Sequence, residues 1–439
     1  MFAGHWRARC ARSVCGVSRL SAAIVVGRFP SLTQSFILNQ ITGLIDRGVD
    51  VDIYAWRTDP PSCHQAAVAQ YDLLSRTRYL PMASENLVER FAGSMWDLAA
   101  GFATSPAASL RSLNMLRFGR SAASLMLLRQ TRFLRTARSY DIIHCHFGPE
   151  GLTGAMLREA GALCGNKLLT SFYGFDLTAS IQANGPHYYD PLFEHADLLL
   201  PLCENFRDRL VMLGAPEHKL KVHHVGVELN RFPFHPRTLA ADGKSRFISV
   251  GRLVEKKGFE FALRAFAKIA AVRRDFTYTI IGDGAGLKGI RALIDRHGLH
   301  DVVHLLGALP HERVIEQLHQ SDVILAPSVR GNNGDEEGTP TVLNEAHATG
   351  MPAIATFHSG IPETVEDGVT GMLVPERDVD ALASRIVDMM NHPARWPAMG
   401  AAARSRIERY FDIDSLNDAL VQTYLQLLGE SPKRLRRAG

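Results

Sequence analysis

Residues 323–345 read VILAPSVRGNNGDEEGTPTVLNE, so a short apolar strand, a polar loop and a helix start follow one another directly. Val323–Ala326 is apolar throughout, as expected of a strand buried on both faces of a parallel sheet. The helix follows Gly338 and Thr339, and Pro340 is predicted at its first position, where proline is favoured. Free N–H groups and the helix dipole at such a start attract an anion such as phosphate. The stretch therefore predicts an α/β fold with an anion-binding turn at a strand end.

Two carboxylates accompany this turn. Glu337 directly precedes it, and Glu345 lies about one and a half turns into the helix. Carboxylates repel a bare phosphate but accept hydrogen bonds from hydroxyl groups. The pair therefore predicts a ligand with hydroxyls beside its phosphate, as in a sugar or a ribose. The alternative is an acidic loop followed by a surface glutamate.

Two further strand ends in the same half are rich in cations or glycine. Gly251 opens a turn that contains Arg252 and Lys257, and Gly282 and Gly284 follow the next predicted strand. Cations at the carboxyl end of a strand can neutralise a diphosphate, and glycine lets a ligand approach the backbone. Each segment also has a simpler interpretation, since solvated turns often contain such residues. The glycine turn lacks the downstream acid of the dinucleotide-binding pattern.

Strands and helices alternate along the whole chain, which predicts parallel sheets covered on both faces. In the first half, the strands are predicted at 22–26, 49–54, 142–144, 167–172, 198–201 and 221–224. In the second half, they are predicted at 247–250, 278–281, 302–306, 323–326, 353–355 and 372–374. Residues 230–244 read as a linker, so we expect domains at 1–229 and 230–411, with a helix in 412–439 that can pack back on the first. Ligands bind at the carboxyl ends of strands in such folds, hence between the two halves.

In this order, the three segments of the second half resemble the retaining glycosyltransferases of family 4, which have the GT-B fold of two Rossmann-like domains facing a cleft. Glu337 and Glu345 match the family's two glutamates, and Arg252 and Lys257 match its diphosphate-binding cations. The resemblance covers the whole second half. It extends more loosely over the first half, where it is similar to exopolysaccharide enzymes of the colanic acid and amylovoran type, through residues 29–40, 144–148 and 173–176.

The resemblance implies transfer of a sugar, with retention, from a UDP- or GDP-sugar to a hydroxyl of a glycan or a polyprenyl-linked oligosaccharide. Glu337 would bind donor-sugar hydroxyls and Glu345 the ribose, while Arg252, Lys257 and the backbone amides of the turn would stabilise the leaving diphosphate. No cofactor or metal is expected, because no Asp-x-Asp pair follows a strand. The alternatives are a nucleotide-sugar epimerase or hydrolase on the same fold and a non-catalytic scaffold that binds sugar nucleotides.

On the acceptor side, the resemblance places His146 at the edge of the active site and matches Phe29 and Pro30. His144 and His146 face the same way on a strand, but no HxxxH or CxxC motif supplies the further ligands of a zinc site. Asp176 follows the next strand through a glycine turn. It either holds acceptor hydroxyls or caps that turn.

Composition sets broader limits on the function. The chain has 439 residues, 46% of them hydrophobic and 21% charged, and a net charge of +4 that does not indicate nucleic-acid binding. Its six cysteines form no CxxC pair and indicate a reduced, cytoplasmic protein. Residues 1–20 are basic and make a poor secretory signal. They are either a frayed start or a basic surface-binding arm.

One segment has a strong charge bias. Residues 98–140 contain seven arginines and no Asp or Glu, interleaved with apolar residues. Such a helix can lie peripherally in the headgroup region at the inner face of the plasma membrane. The alternative is an ordinary helix that packs its apolar side on the first domain.

Overall fold

The computed structural model describes residues 19–31, 34–61, 64–82, 106–134 and 138–430, apart from the side chains of Arg120 and Arg132. Several predictions fall on other residues. Residues 1–18 of the basic start, residues 98–105 and 135–137 of the arginine-rich region and the last nine residues all lie outside the described part.

Each half of the chain forms a sheet of six parallel strands. The strands of the first sheet are β1 (Ser21–Arg28), β2 (Asp50–Arg57), β3 (Thr77–Tyr79), β4 (Tyr140–His146), β5 (Gly165–Phe172) and β6 (Leu198–Pro201). Those of the second sheet are β7 (Ser245–Val250), β8 (Phe276–Ile281), β9 (Val303–Gly307), β10 (Val323–Ala326), β11 (Ala353–Thr356) and β12 (Gly371–Val374). The strand orders are β3-β2-β1-β4-β5-β6 and β12-β11-β10-β7-β8-β9. Two sheets of the same winding confirm the predicted doubly wound α/β fold.

Helices cover both faces of each sheet. The first half contains α1 (Ser35–Asp46), α2 (Ala66–Gln70), α3 (Pro106–Ser112), α4 (Met115–Ala123), α5 (Met126–Leu134), α6 (Gly148–Ala160), α7 (Ala179–Asn184), α8 (Asp190–His195) and α9 (Glu204–Met212). The second half contains α10 (Phe259–Ala270), α11 (Leu287–Arg296), α12 (His311–His319), α13 (Thr341–Ala348), α14 (Ile361–Thr364), α15 (Val379–Asn391), α16 (Trp396–Tyr410) and α17 (Ile413–Leu428). Because the sheets are covered on both sides, strands such as β6, β10, β11 and β12 are buried at every residue.

The last helix returns to the first half of the chain. Asp412 caps α17 by accepting a hydrogen bond from the N–H of Ser415 (3.1 Å). Leu420, Tyr424 and Leu425 of this helix are buried in the same core as the strands of the first sheet. The two halves are therefore joined both by the chain between β6 and β7 and by this helix.

Two strand predictions differ from the structure. Residues 221–224 form an extended connection, which makes backbone hydrogen bonds to β6 from Lys221 and His223, instead of a strand. The short edge strand Thr77–Tyr79 was not predicted, because two of its three residues are exposed and no apolar run marks it. The described part of the arginine-rich region forms three short helices, α3 to α5, in place of one long helix.

Candidate functional site

The glycine turns after β7 and β8 lie directly against each other. A side chain at Gly282 would approach the carbonyl oxygen of Gly251 to 1.8 Å, and one at Gly284 would approach that of Leu253 to 2.8 Å. Both glycines also have positive φ, at 147° and 154°, which side chains disfavour. The turns can therefore pack this closely only with glycine. The backbones of the two turns therefore lie side by side and form one surface at the carboxyl edge of the second sheet.

Lys257 extends from this surface to the carboxylate of Glu337. Its Nζ lies 2.7 Å from Oε2, and Nζ of Lys256 lies 3.2 Å from Oε1 of the same group. Burial alone would raise the pKa of Glu337, but the two ammonium groups outweigh it and lower that pKa to about 2. Glu337 is therefore ionised at any physiological pH, and the predicted cation and carboxylate are direct neighbours.

The turn before α13 presents free donors. The N–H groups of Gly338 and Thr339 make no hydrogen bond to the described residues. The side-chain oxygen of Thr339 is buried and equally without a partner there. The helix begins at Thr341, one residue later than predicted, so Pro340 is the N-cap residue. The shift leaves the amides before the helix available to an anion.

The remaining two donor-side residues are in different situations. Arg252 is exposed, and its side chain makes no hydrogen bond or ion pair within the described part of the chain. Glu345 is largely buried, and its Oε1 lies 3.2 Å from Nε2 of His311. This hydrogen bond and the carboxylate charge raise the pKa of His311. Arg252 is therefore free to meet a ligand, whereas Glu345 already has a partner.

The two halves of the chain touch at residues 335–337, called here the acidic loop. A side chain at Gly338 would lie 2.4 Å from Cδ2 of Leu202, so the lack of a side chain there lets the two halves approach closely. On the other side, Gly174 with φ 145° faces the carbonyl oxygen of Glu336. The carboxylate of Glu336 is 2.8 Å from the guanidinium of Arg209 in α9. The carboxyl edges of the two sheets therefore meet next to Glu337.

His146 lies on the first-half side of this contact. It is fully buried, and its Nδ1 lies 2.7 Å from the hydroxyl of Tyr173, the residue before Gly174. Its Nε2 has no hydrogen-bond partner in the described residues. Burial lowers its pKa to about 3, so the imidazole is neutral. His144 is different: it contacts Tyr424 and Ser171 through its two nitrogens and is a core residue.

The other acceptor-side residues are occupied by the fold. Asp176 is fully buried and accepts hydrogen bonds from the N–H groups of Gly148, Tyr173 and Gly174. Burial raises its pKa to about 6 against the opposing effect of these amides. Of the two roles considered for Asp176, the structure shows the turn cap, and its oxygens are not open to an acceptor. Phe29 is a core residue with 2% exposure, and Pro30 is also buried. Neither one offers an open surface.

Comparison with known proteins supports the family resemblance. Residues 230–406 match the family model described as "Glycosyl transferases group 1", and residues 33–226 match the "Glycosyl transferase 4-like domain". The colanic acid biosynthesis glycosyltransferase WcaL of Escherichia coli is 36% identical over 399 residues, 90% of this chain and 96% of that protein. The chain belongs to the group 1 glycosyltransferases. The amylovoran biosynthesis glycosyltransferase AmsK of Erwinia amylovora is 33% identical over 387 residues, 88% and 94% of the two chains.

Solved structures show that this glycosyltransferase has the GT-B fold. HepE of Anabaena, crystallised with UDP, superposes with a TM-score of 0.68 at 15% identity and covers 93% of this chain and 100% of its own. Sucrose-phosphate synthase of Thermosynechococcus elongatus gives 0.67 at 20% identity, with 94% and 100% covered. Within the part of the glycosyltransferase that is described, no helix is both long enough and apolar enough to cross a membrane.

Sequence reasoning missed two residues of the glycosyltransferase's site. Lys256 lies beside Lys257 in the turn after β7 and is the most buried cation there, with 8% exposure, which its place in a polar turn does not indicate. His358 lies outside the three segments of the second half that the sequence singles out. Its Nε2 accepts the N–H of Glu337 (3.1 Å), and its Nδ1 lies 2.6 Å from the carboxylate of Glu376. A signal existed for His358, because it follows β11 at the same carboxyl edge of the sheet.

Proposed function

We propose that this glycosyltransferase moves a sugar from a nucleotide-diphosphate sugar to a hydroxyl group, with retention at the anomeric carbon. The observation that carries this proposal is the meeting of Lys257, Glu337 and the free amides of Gly338 and Thr339 at one sheet edge. A diphosphate needs cations and N–H donors, and a sugar needs a carboxylate for its hydroxyls. Both sets of groups lie together at the carboxyl edge of the second sheet, on the segments that follow β7 and β10.

In this proposal, the second half binds the donor. Lys257, Arg252 and the two amides stabilise the charge that develops on the leaving diphosphate. Glu337 accepts hydrogen bonds from the donor sugar, and Glu345 from the ribose. HepE was crystallised with UDP, and a relative in Mycolicibacterium smegmatis is a GDP-mannose-dependent mannosyltransferase, so both nucleotides are candidates.

We infer retention because none of the residues named above at the proposed sugar site, all within the described part of the chain, is a suitable base. Glu337 is neutralised by two lysines and has a pKa of about 2, which makes it a poor proton acceptor. His146, with a pKa of about 3, is likewise a weak base, but its unpartnered Nε2 can hydrogen-bond a sugar hydroxyl. We therefore propose that the leaving phosphate oxygen accepts the proton of the acceptor hydroxyl on the same face of the sugar. The scheme requires no metal, because side-chain cations neutralise the diphosphate.

The acceptor is proposed to be a glycan or a lipid-linked oligosaccharide in exopolysaccharide assembly, since WcaL and AmsK are named for colanic acid and amylovoran biosynthesis. A lipid-linked acceptor is anchored in a membrane, so in this proposal the enzyme reaches a membrane surface. The apolar side chains of Leu110, Met115 and Leu116 are 60%, 66% and 102% exposed on α3 and α4. We propose that this surface, called here the α3–α4 apolar surface, docks on the membrane. Arg117 and Arg138 contribute less than expected, because carboxylates from other segments pair with them.

A transfer assay tests the proposed function. The purified protein is incubated with a panel of UDP- and GDP-sugars and a bacterial lipid extract, and release of UDP or GDP and the sugar-labelled product are measured. We expect acceptor-dependent release from one donor that persists in excess EDTA. Donor hydrolysis or epimerisation without transfer would contradict the proposal, and full loss of activity in EDTA that Mg²⁺ restores would contradict its metal-free scheme.

A further inference from the structure

Lys256 is buried at the centre of the acidic loop. Its ammonium group lies 3.0 Å from Oδ2 of Asp335, 3.2 Å from Oε1 of Glu337 and 3.3 Å from the carbonyl oxygen of Glu336. All three acceptors belong to consecutive residues. The carbonyl oxygen of Lys256 also accepts the N–H of Val329 at 2.9 Å, where the segment leading to this loop begins. Lys256 therefore joins the turn after β7 to both ends of the segment between Val329 and Glu337.

Glu337 is shared between two lysines, one on each oxygen. Lys257 lies at Oε2 and is the more exposed of the two lysines, with 16% of its side chain accessible against 10% for Lys256. In the proposed function, a bound donor gives both members of the Lys257–Glu337 pair new partners. The diphosphate attracts Lys257, and the sugar hydroxyls occupy Glu337. The pair seen here must then separate.

We propose that Lys256 is a positioning residue that holds the Glu337 carboxylate in place when Lys257 leaves it for the donor diphosphate. This inference rests on the proposed function. Lys256 is suited to the role because Asp335 fixes its ammonium group from the other side, so it cannot follow Lys257 toward the phosphate. In this proposal Lys257 contacts the donor, whereas Lys256 acts on the donor only through Glu337.

Charge gives the role a measurable signature. In the free protein both lysines keep the pKa of Glu337 low. In the donor complex only Lys256 remains beside it, so the loss of Lys256 should raise that pKa more in the complex than in the free protein. The acidic limb of the pH profile of kcat reports the pKa in the donor complex, and that of the pH profile of kcat/KM reports the pKa in the free enzyme. A purely structural residue would move neither limb.

The first experiment compares Lys256→Met with the wild type, with Lys256→Arg and with the exposed control Lys268→Met. We expect Lys256→Met to lower kcat by roughly 10- to 100-fold, the cost of a misplaced group in the site. Its acid limb should move to higher pH, further in kcat than in kcat/KM. Lys256→Arg should restore the limb, and Lys268→Met should behave as wild type. Unmoved limbs in Lys256→Met would overturn the proposal.

A second measurement needs no substitution of Lys256. In protein labelled with carbon-13 at glutamate carboxyl groups, the Glu337 signal, identified by its loss in Glu337→Gln, is titrated with and without saturating UDP or GDP. We expect Glu337 to remain ionised down to about pH 4 in both states. Titration near the ordinary value of 4.5 in the nucleotide complex would overturn the role of Lys256.

The failure of the two proposals can be told apart. If no sugar nucleotide is a donor, the proposed function fails in the transfer assay itself. The Glu337 titration in free Lys256→Met protein still decides whether Lys256 holds the carboxylate: a raised pKa supports this part, and an unchanged one overturns it.

Discussion

Among single residues, Glu337 has the most constrained surroundings in the site. Its carboxylate contacts two ammonium groups, and its N–H donates to His358. The free amides of the next two residues follow directly in the same short loop. Because the carboxylate is buried, its charge is strongly coupled to those lysines. Replacing one of the lysines that surround this loop should therefore change how the Glu337 carboxylate meets a ligand.

The donor cations give the first prediction. Lys257→Ala or Arg252→Ala should lower kcat/KM by at least ~100-fold, the scale of losing one preorganised donor to a developing anion. Stability should be nearly unchanged, because Arg252 is unpaired within the described residues and Glu337 keeps Lys256 as a partner. Steady-state kinetics and thermal unfolding measure both effects, with Lys268→Ala as the control. Near-normal turnover in either variant would refute the assignment.

Glu345 gives the second prediction. Its replacement by Ala should weaken binding of UDP or GDP by roughly 10-fold, since a hydrogen bond to a charged group contributes about 1.5 kcal/mol or more. It should also lower the pKa of His311, because the carboxylate that raises it is gone. Titration calorimetry measures the affinity, and NMR measures the histidine. An unchanged nucleotide affinity would show that Glu345 does not bind the ribose.

Glu150 gives the third prediction, which concerns pH. Burial raises its pKa to about 8, and its Oε2 has no hydrogen-bond partner among the described residues. Gly27 makes room for it, since a side chain there would lie 2.4 Å from Oε1. Between the ordinary pKa of 4.5 and about 8, the folded protein holds a proton that the unfolded chain has released. The stability contributed by this carboxyl therefore falls as pH rises through that range.

The substitution Glu150→Gln removes this titration while keeping the shape of the side chain. We expect the variant and the wild type to differ little near pH 5, and the variant to melt at a clearly higher temperature near pH 8, by several degrees. The exposed control Glu217→Gln should give a curve parallel to that of the wild type. Parallel curves for Glu150→Gln as well would contradict the raised pKa.

At the scale of helices and strands, the sequence was most informative in the second half. Continuous apolar runs bounded by glycine and polar turns gave all six of its strands to within two residues, because strands buried on both faces have this pattern. The prediction of a strand at residues 221–224 was wrong, since an extended, partly buried connection has the same composition as a strand. The edge strand Thr77–Tyr79 could not be predicted for the opposite reason, because it is too exposed to require apolar residues.

The arginine-rich region shows that the partners of a charged residue cannot be read from the sequence around it. Its lack of acids indicated an unbalanced basic surface. The structure supplies the missing carboxylates from distant segments: Asp50 and Asp52 pair with Arg138, and Glu159 and Glu194 pair with Arg117. Leu127 and Leu128 are buried in the core as the ordinary interpretation expects. What remains without such an explanation is the α3–α4 apolar surface.

That surface gives the fourth prediction. The wild-type protein should sediment with anionic lipid vesicles at low salt, and Met115→Glu with Leu116→Glu should abolish this, because the carboxylates oppose both insertion and lipid charge. Val272→Glu is a matched control, since Val272 is 88% exposed in the second half. Failure of the wild type to sediment, or equal sedimentation of the double variant, would exclude docking through α3 and α4.

At the scale of the whole molecule, the function depends on how the two sheets meet. The sequence placed the ligand between the halves, because both sets of strand ends carry the polar turns. It could not show which residues touch, since Arg209 and Glu336 are 127 positions apart and each alone is an ordinary surface charge. The same limit applies to Asp176, whose role as a cap depends on amides of two separate elements. Contacts between distant segments were therefore the unpredictable part of the site.

The stereochemistry of transfer tests the central claim most directly. The glycoside formed from an α-linked donor is analysed by proton NMR, in parallel with the Glu337→Gln variant, which should transfer at least ~100-fold more slowly. We predict an α-linked product from the wild-type protein. A β-linked product would show that the reaction inverts the anomeric carbon and would contradict the mechanism built on Lys257 and Glu337.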